Sequence, residues 1–338
     1  MDRVAANILT QWGTEVTPGT AVAANRFVTA VDVMIDMDIE NRPRRSRGSN
    51  VETSSIRGKK LAKGSYDGIL CYNSLPLILN GLLPVAASQQ IGAIEAYRYR
   101  YQPPSKQQHA SRKTYTWSVG DDVAREIFAY GQIAGMQCEL TQDDSKVTGP
   151  VFARFPTLSE TAQPAITSEI LERAVERDDI NIYLSTDLAT LWDADSQLLD
   201  TDQEMLSIGE KWTPRHVHNR ALSSFKKAVG KPYTLDFSYT TEHESVSRAF
   251  LASLIASNVE VFMGIECQGL LLGNNGGTDV FELIRYTMAG KLTSPESQRD
   301  DEGGNGGVFG KKYNFKGLHS PTLGTAYEIE VINSIAAY

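Results

Sequence analysis

The chain has 338 residues, enough for one large domain or two ordinary ones. Its 41% hydrophobic and 22% charged residues are typical of a globular protein and exclude wholesale disorder. The net charge of −8 argues against a surface that binds nucleic acid over its whole extent.

Strand signals dominate the predicted elements. In residues 31–39, apolar Val31, Val33 and Ile35 alternate with acidic residues such as Asp32 and Asp36, which is the period of a half-buried strand. Further strands are predicted at residues 96–101, 114–119, 136–141, 179–185, 233–239, 259–267, 280–288 and 326–332. Short helices are predicted at residues 75–83 with Ser74 as the cap, at about 168–177, and at 246–257.

The order of elements recurs in the two halves of the chain. A strand at 63–72 leads into the first helix, and a strand at 231–239, which begins 168 residues later, leads into a second apolar helix. This recurrence predicts a duplicated domain. The segment 156–164 is rich in Thr, Ser and Pro, and it marks the predicted boundary between domains at residues 1–160 and 161–338.

The cysteines and the apolar runs indicate where the protein is made. Cys71, Cys138 and Cys267 are odd in number, far apart and set among apolar residues, which predicts buried free thiols rather than disulfides. The first residues show no secretory signal, and no segment approaches the ~18 apolar residues of a membrane helix. We therefore expect a soluble protein made in a reducing cytoplasm.

Basic residues are concentrated in two segments, 42–63 and 213–231. Together they hold 13 of the 33 basic residues and one of the 41 acidic residues, Glu52. The rest of the chain therefore has a net charge of −20. The basic residues are Arg42, Arg44, Arg45, Arg47, Arg57, Lys59, Lys60 and Lys63 in the first segment, and Arg215, Arg220, Lys226, Lys227 and Lys231 in the second.

Both segments are expected to be long, mobile loops, because they are rich in Ser, Gly and Asn. Basic loops on an acidic body suggest two partners: the phosphates of nucleic acid, or the acidic surface of another copy of the chain. Nucleic-acid binding predicts interleaved aromatic residues. The first segment has none, and Trp212 and Phe225 only flank or end the second. Self-association is therefore the favoured hypothesis.

Motifs for catalysis and for metals are weak throughout. The segment 64–68 resembles a nucleophile elbow but lacks one residue of the motif. His216 and His218 have no third metal ligand nearby. A calcium loop is also weak, because Leu198 stands at its glycine position; its acidic residues are Asp193, Asp195, Asp200, Asp202 and Glu204. The sequence predicts no enzyme, no metal and no cofactor.

Residues 12–20 resemble the opening motif of a known family. Trp12-Gly13-Thr14 is followed by Glu15-Val16-Thr17-Pro18-Gly19-Thr20, which resembles the Glu-Thr-x-x-Gly-Thr segment of the major tail tube proteins of long, flexible-tailed bacteriophages; Val16 stands where a second Thr is common. The following strand, long segment, Lys63-Gly64-Ser65 and Leu-rich helix keep the family's order. The resemblance is clearest over residues 10–155 and extends to 338 through the repeat.

This resemblance implies a mainly β fold of two tandem β-sandwich domains, each with a short flanking helix. It also implies a structural virion protein, made in the bacterial cytoplasm, whose sheets join edge to edge around a channel for genome delivery. Six such domains form a ring, so three two-domain chains would form a pseudo-hexameric homotrimer. The implied partners are other copies of the chain, the tape measure protein and viral DNA in the lumen, and terminator and tip proteins at the ends, with no membrane.

In that setting the two basic segments are expected to clasp acidic patches of the next ring, and the acidic remainder to form those patches and a channel wall that repels DNA. An alternative function is a virion decoration or baseplate attachment module that binds carbohydrate through Tyr97, Tyr99 and Tyr101. Their alternation suits a buried position equally well. A glycosidase is a third possibility, since acidic pairs are abundant.

Overall fold

A computed structural model describes residues 8–47, 50–52, 54–104, 112–141, 145–198, 201–209, 211–217, 224–242, 245–293, 296–299 and 309–338. The protein is mainly β, with 55% strand and 9% helix, and it has two α-helices and a large mixed sheet within these residues. The predicted fold class is confirmed at this level.

The elements of the first half are mostly antiparallel strands around one helix. They are β1 (Leu9–Thr14), β2 (Arg26–Val28), β3 (Val31–Arg44), β4 (Ser54–Ile69), α1 (Leu75–Leu82), β5 (Gln89–Gln90), β6 (Tyr97–Tyr101), β7 (Tyr115–Gly120), β8 (Arg125–Ile133), β9 (Met136–Leu140), β10 (Ser145–Ala153) and β11 (Thr157–Ser159).

The second half has a similar content. Its elements are β12 (Ser168–Ile170), β13 (Ile180–Ser185), β14 (Gln197–Leu198), β15 (Thr201–Ile208), β16 (Trp212–Arg215), β17 (Lys227–Gly230), β18 (Leu235–Glu242), α2 (Ser245–Ser257), β19 (Val261–Asn275), β20 (Thr278–Leu292), β21 (Glu296–Arg299), β22 (Phe309–Gly317) and β23 (Tyr327–Asn333).

Eight strands form one antiparallel sheet that runs through both halves in the order β3, β4, β10, β9, β15, β18, β22, β21. The two halves meet where β9 pairs with β15, with Cys138 opposite Leu206. One face of this sheet is buried, because apolar side chains such as Val33, Cys138 and Phe237 alternate with polar ones along the strands.

A second group of strands, which we call the second layer, contributes buried side chains to the same hydrophobic cluster as this face. In the first half β1, β7 and β8 pair in sequence order, with β11 on the far edge of β8. In the second half β13, β19, β20 and β23 pair in the same way, and β23 continues onto β6 of the first half. One hydrophobic cluster includes residues from both halves, among them Trp12, Trp117, Phe237 and Tyr286.

The pattern of strand pairing in the first half recurs in the second. The pairs β1–β7, β7–β8, β3–β4, β4–β10, β9–β10 and β8–β11 have counterparts in β13–β19, β19–β20, β15–β18, β18–β22, β21–β22 and β20–β23. A helix follows β4 and again follows β18. The position of the predicted domain boundary at residue 160 stays a prediction.

Helix α1 begins at Leu75 as predicted and ends at Leu82, one residue before the predicted end. Pro76 lies in its first turn, where a missing N–H removes no hydrogen bond, and all eight of its residues are buried. Its carbonyls are held by the hydroxyl of Tyr115, which donates to Leu77 O, and by Nε1 of Trp212, which donates to Leu82 O at 3.0 Å. Ser74 lies at the N-cap, but its side chain makes no capping hydrogen bond.

The strands predicted by period-two alternation and the helix near 246–257 are confirmed, but the helix predicted at 168–177 is wrong. Ser168–Ile170 is strand β12, parallel to β2. Beyond it, Arg173 O accepts from Tyr72 N, and Val175 N donates to Leu70 O. These hydrogen bonds to the first half replace those of a helix, because the neighbouring backbone offers partners at every other residue.

The first basic segment is largely strand and the second contains a strand near each of its ends, which corrects the expectation that both are loops. Strand β3 extends to Arg44 and β4 begins at Ser54, so the first segment is a long two-stranded ribbon with Arg42 opposite Ile56. The second segment includes the β16–β17 hairpin, with Arg215 opposite Lys227. Cross-strand hydrogen bonds therefore order much of the backbone that composition alone assigned to mobile loops.

Candidate functional site

The eight-stranded sheet ends in strands whose outer edges carry no strand partner within the described residues. At one end β3 pairs with β4 alone, and at the other end β21 pairs with β22 alone. Near the first edge the hydroxyl of Thr10 donates to Val33 O at 3.2 Å, so one carbonyl of β3 has a side-chain partner. Unpaired edges are sites at which another strand can add.

The strand register identifies which residues on the two open edges correspond to the residues that pair at the β9–β15 junction. Val151 of β10 pairs with Gly64 of β4 and with Ile133 of β8. Phe315 of β22 pairs with Phe237 of β18 and with Leu292 of β20. Val151 and Phe315 therefore occupy equivalent places in the two halves. Val147, four residues before Val151, lies opposite Cys138 of β9. Lys311, four residues before Phe315, lies opposite Ser297 of β21. Position 297 at one end of the sheet is therefore the counterpart of position 138 inside it.

The same comparison relates the other edge to β15. Gly64 lies opposite Ile35, and Phe237 lies opposite Leu206, so position 35 is the counterpart of position 206. Since Cys138 and Leu206 face each other at the internal junction, positions 297 and 35 are the matching positions on the two open edges. One residue away, Glu296 and Asp36 match the internal pair Gln137 and Ser207.

The face of this sheet that is opposite the core is polar, and we call it the exposed face. It carries Lys63 opposite Asp36, Lys146 opposite Glu139 and Lys316 opposite Asp236. Lys63 also forms an ion pair with Asp38 at 2.7 Å. Among its described side chains, acids outnumber bases; the acids are Asp32, Asp36, Asp38, Asp67, Glu139, Asp236 and Glu296, and the bases are Lys63, Lys146, Lys312 and Lys316.

The first basic segment projects from the body as what we call the basic ribbon, residues 41–59. Every side chain described in this range is exposed, including the apolar Val51 and Ile56. Arg42 donates to the Glu40 carboxylate at 2.8 Å, and this hydrogen bond lowers the pKa of Glu40. Arg44, Arg45 and Arg47 lie on or beside the ribbon's tip, whereas Lys59, Lys60 and Lys63 lie at its base. The backbone of Arg57 is in β4, and its side chain is outside the described residues.

The second basic segment, which we call the basic hairpin (residues 212–230), is anchored on the first half of its own chain. Phe225 is fully buried, with its ring 5.1 Å from Tyr130 and 5.4 Å from Phe152. Ser224 donates its hydroxyl to Lys60 O at 2.8 Å. The side chains of Arg215, Lys226 and Lys227 are exposed, and Arg220 lies outside the described residues.

The opening motif builds the receptor for this hairpin. The buried carboxylate of Glu15 accepts four hydrogen bonds, from Gly19 N at 2.6 Å, Thr114 Oγ1 at 2.7 Å, Thr116 Oγ1 at 3.0 Å and Tyr130 N at 2.8 Å. Tyr130 has φ +56 and lies at a bulge in the β7–β8 pair. A bulge redirects a side chain, and here it places the Tyr130 ring against Phe225.

We expect Glu15→Gln to lower the free energy of unfolding by about 2–4 kcal/mol, because an amide places two hydrogens among four donors and leaves some of them unsatisfied. Urea unfolding followed by circular dichroism measures the change. Glu160→Gln is the control, since Glu160 is exposed, and we expect about 0.5 kcal/mol or less there. Equal effects of the two substitutions would contradict the structural role of the motif.

All three cysteines are buried free thiols, as expected from the sequence. Burial raises the pKa of Cys71 and of Cys138 to about 12, and it raises the pKa of Cys267 as well. Thiolates are the reactive form. We therefore predict no reaction with Ellman's reagent at pH 8 in the native protein and reaction of all three thiols in urea; stoichiometric labelling without urea would be the contrary result.

The weak metal motifs do not come together in the described part of the chain, where no cluster of three or more His, Cys, Asp or Glu side chains is placed to hold a metal. His216 is half-buried near Phe225, and burial lowers its pKa. Glu204 is buried, whereas Asp193 and Asp195 are exposed. His218, Asp200 and the side chain of Asp202 lie outside the described residues.

The aromatic residues of the attachment hypothesis are mostly buried. Tyr99 and Tyr101 lie in the core on β6, and Tyr97 is half-buried. The hydroxyl of Tyr99 donates to Ile335 O at 2.5 Å. An open groove of about 410 Å³ beside β19 and β20 is lined by charges that pair with one another or with neighbours, such as Arg285 with Glu266 and Arg98 with Glu330.

No family model matches the chain, and no curated protein matches it. Among the described residues no helix is long and apolar enough to cross a membrane.

Proposed function

We propose that the chain is a structural virion protein of a bacteriophage with a long, flexible tail. Three copies form a ring, the rings stack into the tail tube, and the tube is the channel through which the genome is delivered to the host. Each chain contributes two tandem β-sandwich domains with a flanking helix. The tape measure protein and then DNA occupy the lumen, and terminator and tip proteins close the two ends.

The observation that carries the proposal is the β9–β15 junction. It joins the sheet of the first half to the sheet of the second half by continuous antiparallel pairing. The counterparts of these two strands, β21 and β3, lie at the open ends of the same sheet. Pairing of β21 of one chain with β3 of the next repeats the internal junction between chains.

Repetition of one junction generates a closed ring. The contact is head to tail, so each chain uses a different edge at each side, and the ring closes when the rotation per chain divides a full turn. The family that the sequence resembles has six domains in a ring. Two halves per chain then require three chains, and each ring has alternating internal and intermolecular junctions.

The exposed face of the sheet would form the wall of the channel. The described side chains of this face, seven acidic and four basic, give it an excess of negative charge. A negative wall repels the phosphates of DNA, and DNA therefore passes without adhering. The buried face packs against the second layer, which places that layer on the outside of the ring.

Self-association of the purified chain tests the proposal. Sedimentation velocity over a range of concentrations should show a three-chain species and its multiples. A chain that remains a monomer at the highest concentration would contradict the proposed function.

A further inference from the structure

The two basic segments occupy equivalent places in the fold but differ in burial: the basic hairpin is partly buried, and the basic ribbon is exposed. The basic ribbon is formed by the end of β3, the start of β4 and the turn between them, and the basic hairpin lies between β15 and β18, the counterparts of those strands. On the hairpin, Trp212, Ser224, Phe225 and Ala228 are buried. On the ribbon, every described side chain is exposed.

We propose, on the basis of the function proposed above, that the two segments have separate tasks. The basic hairpin clamps the two halves within one chain, and only the basic ribbon contacts an acidic surface on a second copy in the next ring. Each ring of three chains then presents three ribbons to its neighbour, not six basic arms.

The receptor for the hairpin has no counterpart among the described residues of the second half. It depends on the bulge at Tyr130 and on Phe152, which lies opposite Lys63 in the β4–β10 pair. In the second half, Lys316 lies opposite Asp236 at the place of Phe152, and the pairing from Val261 to Gln268 with β20 has no bulge. A lysine repels a basic segment where the first half offers an aromatic ring.

The ribbon also lacks an anchor of the hairpin's kind. Residues 40–60 include no aromatic residue, whereas the hairpin inserts Phe225 between two aromatic rings. The ribbon of a neighbouring chain therefore has no means to fold onto the second half as the hairpin folds onto the first. It remains projected from the ring, where it can reach another ring.

The charges of the ribbon and of the rest of the chain favour a second copy of the chain as the partner of the ribbon. A two-stranded ribbon that is exposed on both faces is marginally stable in water, so a partner that covers it stabilises it. Segment 42–63 has eight basic residues and one acid, while the chain outside the two basic segments has a net charge of −20. The absence of aromatic residues argues against stacking on the bases of single-stranded nucleic acid.

Two matched variants test this division, each removing three positive charges from exposed positions. One is Arg44→Ser with Arg45→Ser and Arg47→Ser on the ribbon; the other is Arg215→Ser with Lys226→Ser and Lys227→Ser on the hairpin. Sedimentation at low salt measures the concentration at which rings stack. We expect the ribbon variant to raise it by at least about tenfold while single rings persist, and the hairpin variant to change it by less than about twofold.

The outcomes separate this inference from the function on which it rests. If rings of the native chain stack and both variants weaken stacking equally, or the ribbon variant has no effect, the division of tasks is wrong and the ring model stands. A ribbon variant that stacks normally but loses binding to a single-stranded DNA oligonucleotide would overturn it in favour of nucleic-acid binding. If the native chain forms no rings, the proposed function itself fails and the inference fails with it.

Discussion

Cysteines introduced together at Asp36 and Glu296 should join neighbouring chains into a covalent ring of three. These positions are on the open edges β3 and β21, and they match Ser207 and Gln137, which face each other at the internal junction. Opposite residues in antiparallel strands have Cα atoms about 4.5–5.5 Å apart, which a disulfide spans. The three native thiols are buried and should not interfere.

Non-reducing electrophoresis after mild oxidation measures how many chains the introduced disulfides have joined. The expected ladder has bands of one, two and three chains and ends there, because a closed ring has no free edge for a fourth. The matched control is Gln137→Cys with Ser207→Cys, which should form a disulfide within one chain and change its mobility without joining chains. A control that oxidises while the edge pair forms no intermolecular bond would contradict the β21–β3 contact, and a ladder beyond three would contradict the trimeric ring.

Phe225→Ala should destabilise the chain by about 3–5 kcal/mol, the range for removing a fully buried phenylalanine. Phe225 is 0% exposed and contacts Tyr130 and Phe152, both in the first half. The substitution leaves a cavity and removes the contact of the basic hairpin with Tyr130 and Phe152, while Trp212 still contacts the first half. The hairpin should detach before the rest of the chain unfolds, since its exposed lysines lie directly beside the lost anchor.

Urea unfolding measures the loss of stability, and limited digestion with trypsin measures detachment through faster cleavage at Lys226 and Lys227. Phe250→Ala is the control, because Phe250 on α2 is 45% exposed, and it should cost about 1 kcal/mol or less. If the Phe225 variant loses no more stability than this control and is cleaved no faster, the hairpin does not clamp the two halves.

Much of the strand content was predictable because burial is encoded locally. The alternation of Val31, Val33 and Ile35 with Asp32 and Asp36 reports directly which side chains face the core. The position of helix α1 was also predictable, because an apolar run with Pro76 in its first turn is typical of a helix start. The stretch 168–177 was misread because its apolar spacing suits a helix, whereas its hydrogen-bond partners lie in a distant part of the chain.

The candidate assembly surfaces were only partly predictable. The concentration of Arg44 and its neighbours is a local signal, but the β9–β15 junction joins residues far apart in sequence and has no local signature. The role of Phe225 had only a weak signal in the sequence, a single aromatic residue within a basic segment. Its burial in the structure identifies it as the anchor of the hairpin. The four hydrogen bonds to Glu15 come from Gly19 in the motif itself, Thr114 just before β7, Thr116 on β7 and Tyr130 on β8. The sequence motif alone could not reveal these distant donors.

Electron microscopy of the purified chain at high concentration and low salt tests the central claim most directly. We expect annular particles with a central channel and three-fold symmetry, stacked into tubes that separate into single rings as salt rises. Isolated particles of the size of one chain, with no rings at any concentration, would contradict it.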